Sequence, residues 1–276
     1  MKFSGKSMAN IMKAASKLND LEEMANGKSV IHTLHPMSKI IITFVFLMTV
    51  ISFDRYQISG LTPFILYPAI MLSLSLTPLK PILYRLIPAL PFSLFGGFSN
   101  IIFDRLPILI IGTITVTGGM VSFASILLKT VLTVSAVLIL IATTPLPVIS
   151  KQLARIGVPS LIVFLLIMTY RYISVLIEEA ATMVTAYAVR APRQKFIKIK
   201  DMGSFIGHLL LRSIDRAERV FAAMKCRGFN GVYVTAPVPK ETVKDVLLTA
   251  GVCALFVVCR FVNISMLLGT FLTGIL

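Results

Sequence analysis

The sequence predicts an all-α polytopic membrane protein with about five transmembrane helices, plus a cytoplasmic or interfacial helical region that contains two crossing helices. Three observations predict it. The 276 residues are 56% hydrophobic and only 14% charged, with a mean hydropathy of +0.88, whereas soluble chains are about one quarter charged. Apolar runs recur at lengths near the roughly 20 residues that a bilayer core demands. Finally, Lys and Arg outnumber Asp and Glu 27 to 12, and in a membrane chain such a surplus marks the cytoplasmic side, which makes nucleic-acid binding the weaker reading. There is no Trp, so interfacial anchoring falls to 7 Tyr, 18 Phe and the basic residues. Cys226, Cys253 and Cys259 give an odd count with no disulfide framework.

Taken in order, residues 1–33 form an N-terminal cytoplasmic segment, Lys-rich and without the apolar core of a cleaved signal peptide. Residues 34–143 hold helices one to four, on apolar runs at 40–53, 58–76, 86–103 and 118–143, the first starting near Leu34. Pro63, Pro68, Pro78, Pro81, Pro88 and Pro91 interrupt the second and third runs. Carbonyls freed by proline in lipid need neighbouring helices as cover, so these spans must pack against others. Residues 112–119 alternate small and β-branched side chains and read as a short extended piece before helix four.

Charge parity organises the rest. With the N-terminus inside, four spans return the chain to the cytoplasm near Thr144, followed by Lys151 and Arg155. The apolar stretch 161–177 is long enough to suggest a fifth crossing. A crossing there would place 190–227, with ten Lys/Arg and three acids, outside. That arrangement opposes the positive-inside rule, so 161–177 is expected to lie at the interface or beneath the other helices. Residues 144–241 then form one cytoplasmic region, and 242–276 a C-terminal transmembrane segment whose main run is 243–259.

Two helices of this region end alike. One starts near Ser160 and reaches Ala186-Tyr-Ala-Val-Arg190-Ala191, where Pro192 stops it. The other starts near Asp201 and reaches Ala223-Met-Lys-Cys-Arg227, where Gly228 supplies a left-handed cap. Leu210, Ile214, Ala217, Phe221 and Met224 form one apolar stripe on the second helix, with Arg212, Arg216 and Arg219 away from it. Ala186, Ala222 and Ala223 are small enough to let two backbones approach where the helices cross. Arg190 and Arg227 sit at helix C-termini, where the macrodipole favours a cation.

The pair Ala-Val-Arg190-Ala191 and Cys-Arg227-Gly228-Phe, 37 residues apart, resembles the two Ala-Arg-Gly-type coupling motifs of the transmembrane T component of energy-coupling-factor (ECF) transporters, the CbiQ-like family. The stretch from Lys28 through His32 and His35 to Pro36 and Lys39 is similar to that family's signature before helix one, with His35 where Asp is common. The first motif departs in having Ala191 in place of Gly. The resemblance implies a non-catalytic scaffold in a prokaryotic plasma membrane, multi-pass, with its N-terminus in the cytoplasm. Two ABC ATPase subunits, which bind the ATP, would each receive one Arg-bearing helix end. A separate membrane S component would bind a vitamin or a transition-metal ion such as cobalt or nickel. The implied partners are thus the two ATPases, the S component and the lipid bilayer, with no nucleic acid and no cofactor in this chain. Arginine suits such a dock, because its planar fork holds a carboxylate bidentately.

Other classes fare worse. A self-contained permease lining its own pathway would show two similar halves of polar, discontinuous helices, and no internal repeat is evident. Gly5-Lys6-Ser7 and Gly27-Lys28-Ser29 mimic the end of a phosphate-binding loop but lack its upstream glycine. The interiors of the apolar spans contain no Asp, Glu or His for acid-base chemistry. His32 and His35 are spaced like a metal pair, yet no Cys or carboxylate completes a set, so a structural role is expected. Lys129 and Arg171 mark either a partner contact or snorkelling cations.

Overall fold

The structure is a computed structural model that describes residues 24–25, 27, 29–75, 77–103, 107–111, 114–191, 198–230 and 241–262. The expectations for 1–23, for Pro192 as a helix stop and for 263–276 lie outside the described residues. After a single helical turn at Val30–Thr33, the helices in chain order are α1 (Pro36–Ile51), α2 (Leu66–Ser75), α3 (Leu79–Leu86), α4 (Leu90–Phe103), α5 (Gly118–Thr143) and α6 (Leu146–Arg155). Three longer or later ones follow: α7 (Ser160–Arg190), α8 (Ile199–Cys226) and α9 (Val243–Phe261). A two-stranded antiparallel hairpin, β1 (Pro107–Ile111) with β2 (Ile114–Thr117), precedes α5, and Ile111 pairs with Ile114. The extended piece expected at 112–119 is therefore strand at 114–117, while Gly118 and Gly119 already open α5. Helices dominate, and the chain is an all-α polytopic membrane protein with one small hairpin among the described residues.

The prolines act locally as expected. Pro63 falls inside a 3-10 segment, Ser59–Ile65, that leads into α2, and a second 3-10 turn, Ile87–Ala89, with Pro88 at its centre, joins α3 to α4. Proline lacks the amide that an interior helical hydrogen bond requires, so the helix tightens rather than continuing evenly. Among the described residues, Leu79–Ile102, Gly118–Thr143 and Ser160–Arg190 are long and apolar enough to cross a membrane, while Pro36–Ile51 and Ser59–Ser75 are shorter apolar helices.

The chain divides into two compact units, one of 24–144 with 239–276 and the other of 1–23 with 145–238. In the first, Ile42, Phe46, Val50, Phe53, Leu61, Phe64, Tyr67, Leu132, Ala136 and Phe256 form the core. Phe46 is its hub, with ring centroids 4.5 Å from Tyr67 and 5.4 Å from Phe256. Helices α4 and α5 approach closely at Gly97, where an added Cβ would lie 2.6 Å from Phe123, and Asn100 Nδ2 donates to Ser122 Oγ at 2.8 Å beside that contact.

Cations tie the ends of α1 to its neighbours. Lys39 Nζ, buried at 3% exposure, donates to the Thr143 carbonyl at 3.0 Å. At the other end of α1, Lys129 Nζ donates to the Phe53 carbonyl, and Arg260 donates to the Ser52 carbonyl at 2.8 Å and its hydroxyl at 3.2 Å. Helix C-termini leave carbonyls without intrahelical donors, and cations answer both that need and the helix dipole. Lys129, one of the two cations that could have marked a partner or pathway, is thus engaged in holding α1 against α5. Arg171, the other, is exposed.

Candidate functional site

The unit of 145–238 is built from α6, α7 and α8, and its local sequence explains each helix end. Pro147 near the start of α6 lacks an amide that would be unsatisfied there anyway. At the end of α6 the Val158 amide donates to the Leu153 carbonyl at 3.2 Å and Gly157 N–H to Ala154 at 3.3 Å. The same pattern closes α8, where Phe229 donates to Met224 and Gly228 to Lys225, both at 3.0 Å. Gly157 and Gly228 have φ of +100° and +83°, the left-handed conformation that a Schellman cap needs and a Cβ resists. Helix α7 ends differently: Ala191 leaves the helical region at φ −126° with its amide still bonded to the Tyr187 carbonyl at 2.9 Å.

Contacts along α7 and α8 run in opposite senses. The Tyr187 hydroxyl donates to Asp201 Oδ2 at 2.7 Å, Arg212 pairs with Glu179, the Arg216 guanidinium lies 5.9 Å from the Tyr172 ring centre, and the Phe164 and Phe229 rings are 5.4 Å apart. The two helices are therefore antiparallel neighbours. Arg190 lies at one end of the pair and Arg227 at the other. With Arg227 level with the first turn of α7, the rise of 1.5 Å per residue separates the two arginines by about 40 Å along the pair.

Between the helices lies an apolar cleft of about 380 Å³ whose walls include Phe164, Met168, Tyr172, Val220, Phe221 and Met224. These large side chains line the cleft between the two helices. Ala186, Ala222 and Ala223, expected where the helices cross, are exposed. The stripe on α8 is also only partly covered: Ala217, Phe221 and Met224 line the cleft, while Leu210 and Ile214 remain 57% and 46% exposed. Arg216, expected away from the stripe, packs over Tyr172 instead.

Arg190, Ala191, Arg227 and Gly228 thus occupy two helix ends, with both arginines and Gly228 exposed and Ala191 half-buried. Among the described residues, neither arginine side chain has a hydrogen bond or ion pair. Arg212 and Arg216, in the middle of α8, are engaged by α7. Arg190 and Arg227 at the helix ends have no such engagement among the described residues, as also Arg171 and Arg219 along the helices.

The stretch from His32 to Lys39 belongs to the other unit, and its polar groups serve the fold. Pro36 opens α1, and the His35 Nδ1 accepts the Met37 amide at 3.2 Å as its N-cap. Glu241 lies 3.6 Å from that same nitrogen, but a lone pair already accepting an amide carries no proton to offer a carboxylate. His32 uses both ring nitrogens, at 2.7 Å from Ser29 Oγ and 3.0 Å from the Met24 carbonyl. Sequence reading left three features out: the Lys129 and Arg260 clasp, the Tyr187 to Asp201 bond, and the glycine cap of α6. Only the last had a local signal, Arg155 followed by Gly157 at the end of an amphipathic stretch.

Residues 27–237 match the family described as CbiQ, Cobalt transport protein. The chain belongs to the CbiQ family. It is 33% identical over 116 residues to Cobalt transport protein CbiQ of Rhodobacter capsulatus, a match covering 40% of this chain and 47% of that relative. It is 27% identical over 225 residues to Energy-coupling factor transporter transmembrane protein EcfT of Ruminiclostridium cellulolyticum, covering 74% and 81%. An uncharacterised protein of Methanocaldococcus jannaschii is 27% identical over 119 residues, covering 42% of this chain and 44% of its own length. The chain spans about half the length of the first and third of these relatives and four fifths of the second. As a CbiQ-family protein it is a membrane component of a transport family, and both units described above lie largely within the matched region.

Proposed function

We propose that this chain is the non-catalytic scaffold of an ECF-type ABC importer, joining two cytoplasmic ATPase subunits to a substrate-binding S component. The observation that carries this reading is the pair of exposed arginines at opposite ends of the α7 and α8 pair. A spacing of about 40 Å suits two docking points on two subunits better than one shared site. Each guanidinium would enter a partner groove and hold a carboxylate, and movement of the ATPases would rotate the rigid helices that carry the arginines. The cargo belongs to the S component, and the name of the Rhodobacter capsulatus relative makes a transition-metal ion such as cobalt the leading candidate, with vitamins as the alternative class.

The proposed orientation keeps α7 and α8 on the cytoplasmic side of a prokaryotic plasma membrane, with the N-terminus inside. Length and composition would allow α7 to cross, but the basic surplus of 190–227 opposes it. Ser174 and Ser204 are both exposed, so single Cys probes at these positions should be labelled from the cytoplasmic side. Labelling of a Ser204→Cys probe from outside intact cells would overturn the orientation. The docking test is co-purification of the ATPases. Arg190→Glu or Arg227→Glu alone should leave them tethered at the other end with poor transport, and the double variant should release them. Retention and transport at wild-type level in the double variant would refute the reading.

A further inference from the structure

We infer that the Arg227 dock is two-pronged: Arg155, at the glycine-capped end of α6, belongs to the same partner-binding surface and contacts acidic side chains of the same subunit. This rests on the ATPase-docking reading of Arg227. Three observations support it. First, α6 and α8 end in the same Schellman geometry, at Gly157 and Gly228, each with an exposed arginine in the last turn or cap. Neither Arg155 nor Arg227 has a side-chain hydrogen bond or ion pair among the described residues. Second, the two ends are neighbours. Only residues 156–159 separate α6 from α7, and Phe229, which follows the cap of α8, packs on Phe164 in the first turn and a half of α7. Five residue steps keep Arg155 within about 18 Å of Ser160, so it lies towards the Arg227 end of the α7 and α8 pair and away from the Arg190 end.

Third, both charges stand at helix ends: Arg155 is the last residue of α6 and Arg227 the C-cap of α8, with the 56% exposed Ile156 next to the first. A partner groove lined by carboxylates with an apolar floor fits that arrangement.

The second prong has a mechanical consequence. One guanidinium in a groove is a pivot about which α8 can turn. Two charges on two helices fix the angle, so rotation of the partner is passed to the α7 and α8 pair instead of being lost at the joint. The Arg227 end is thereby a clamp.

The test uses the full complex and the ATPase subunits that co-purify with the wild-type chain. In an Arg190→Glu background, where the Arg227 end alone holds them, Arg155→Glu should lower ATPase retention at least about ten-fold. In an Arg227→Glu background the same change should alter retention by less than about two-fold, because the dock it serves is already lost. Arg155→Lys should restore most retention but less of the transport rate, since charge returns without the fork. Equal effects of Arg155→Glu in both backgrounds, or none in either, would overturn the inference. Loss of binding to phosphatidylglycerol vesicles with ATPase retention unchanged would also overturn it and assign Arg155 to the membrane surface. If the Arg190→Glu, Arg227→Glu double variant keeps its ATPases, the docking reading itself has failed. If that double variant releases them while Arg155→Glu has no effect, only the clamp has failed.

Discussion

The unit of 24–144 with 239–276 and the unit of 145–238 solve opposite problems. The first closes on itself: Phe46, Phe64 and Leu61 are 2% exposed or less, and Lys39, Lys129 and Arg260 are engaged with the carbonyls at helix ends. The second stays open. Helix α8 is 28 residues long and buries none of them, whereas α1, at 16 residues, buries seven. These three cations of the first unit are clasps, whereas Arg190 and Arg227 at the helix ends of the second are exposed. Residue type alone therefore does not assign a role to a basic residue in this chain. What decides it is whether a helix-end carbonyl lies within reach, because a cation that already donates to such a carbonyl is less available to a partner.

The sharpest way to break this contrast is to reverse charges in the open unit. Arg190→Glu with Arg227→Glu should abolish ATPase co-purification, a loss of orders of magnitude, while the thermal unfolding midpoint of the chain itself moves little. Both side chains are exposed, and surface substitutions usually shift stability by less than about 0.5 kcal/mol. A large fall in the midpoint would mean that these arginines belong to the fold, and the two units would no longer differ.

In the closed unit the expected effects are on stability. Gly97→Ala should cost about 1–3 kcal/mol, because its Cβ would meet the Phe123 ring at 2.6 Å and one of two packed helices must give way. Lys39→Met should cost a similar 1–3 kcal/mol by leaving the Thr143 carbonyl without its donor. Detergent-solubilised protein followed by thermal unfolding measures both. Unchanged unfolding in either variant would show that the contact contributes nothing.

Smaller effects sharpen the boundary. Gly228→Ala places a Cβ at φ +83° and should cost about 1 kcal/mol of helix-end stability. Because that cap aims Arg227, transport should fall more than stability does. The mildest change expected is His32→Ala with His35→Ala, which should leave transport within a few-fold of wild type. Complete loss of transport with normal assembly would give those histidines a role beyond the helix cap and the Ser29 contact.

The sequence by itself determined the membrane class, the extents of α5 and α7 and the place where α8 stops. These follow from local physics: apolar length against bilayer thickness, and a glycine at the left-handed cap. It also singled out Arg190 and Arg227, because an arginine at a helix end is a local feature. The tertiary structure alone decided that α7 and α8 are antiparallel, which sends the two arginines to opposite ends. It alone decided that Phe164, Tyr172 and Met224 line the cleft between those helices, while Ala186, Ala222 and Ala223 are exposed. The physical reason is register. Hydropathy states that a face is apolar, but which residues of two faces meet depends on a rotation and a slide between helices that no single helix encodes. The same limit hid the Lys129 and Arg260 clasp on α1, whose partners lie 76 and 208 residues away in the chain.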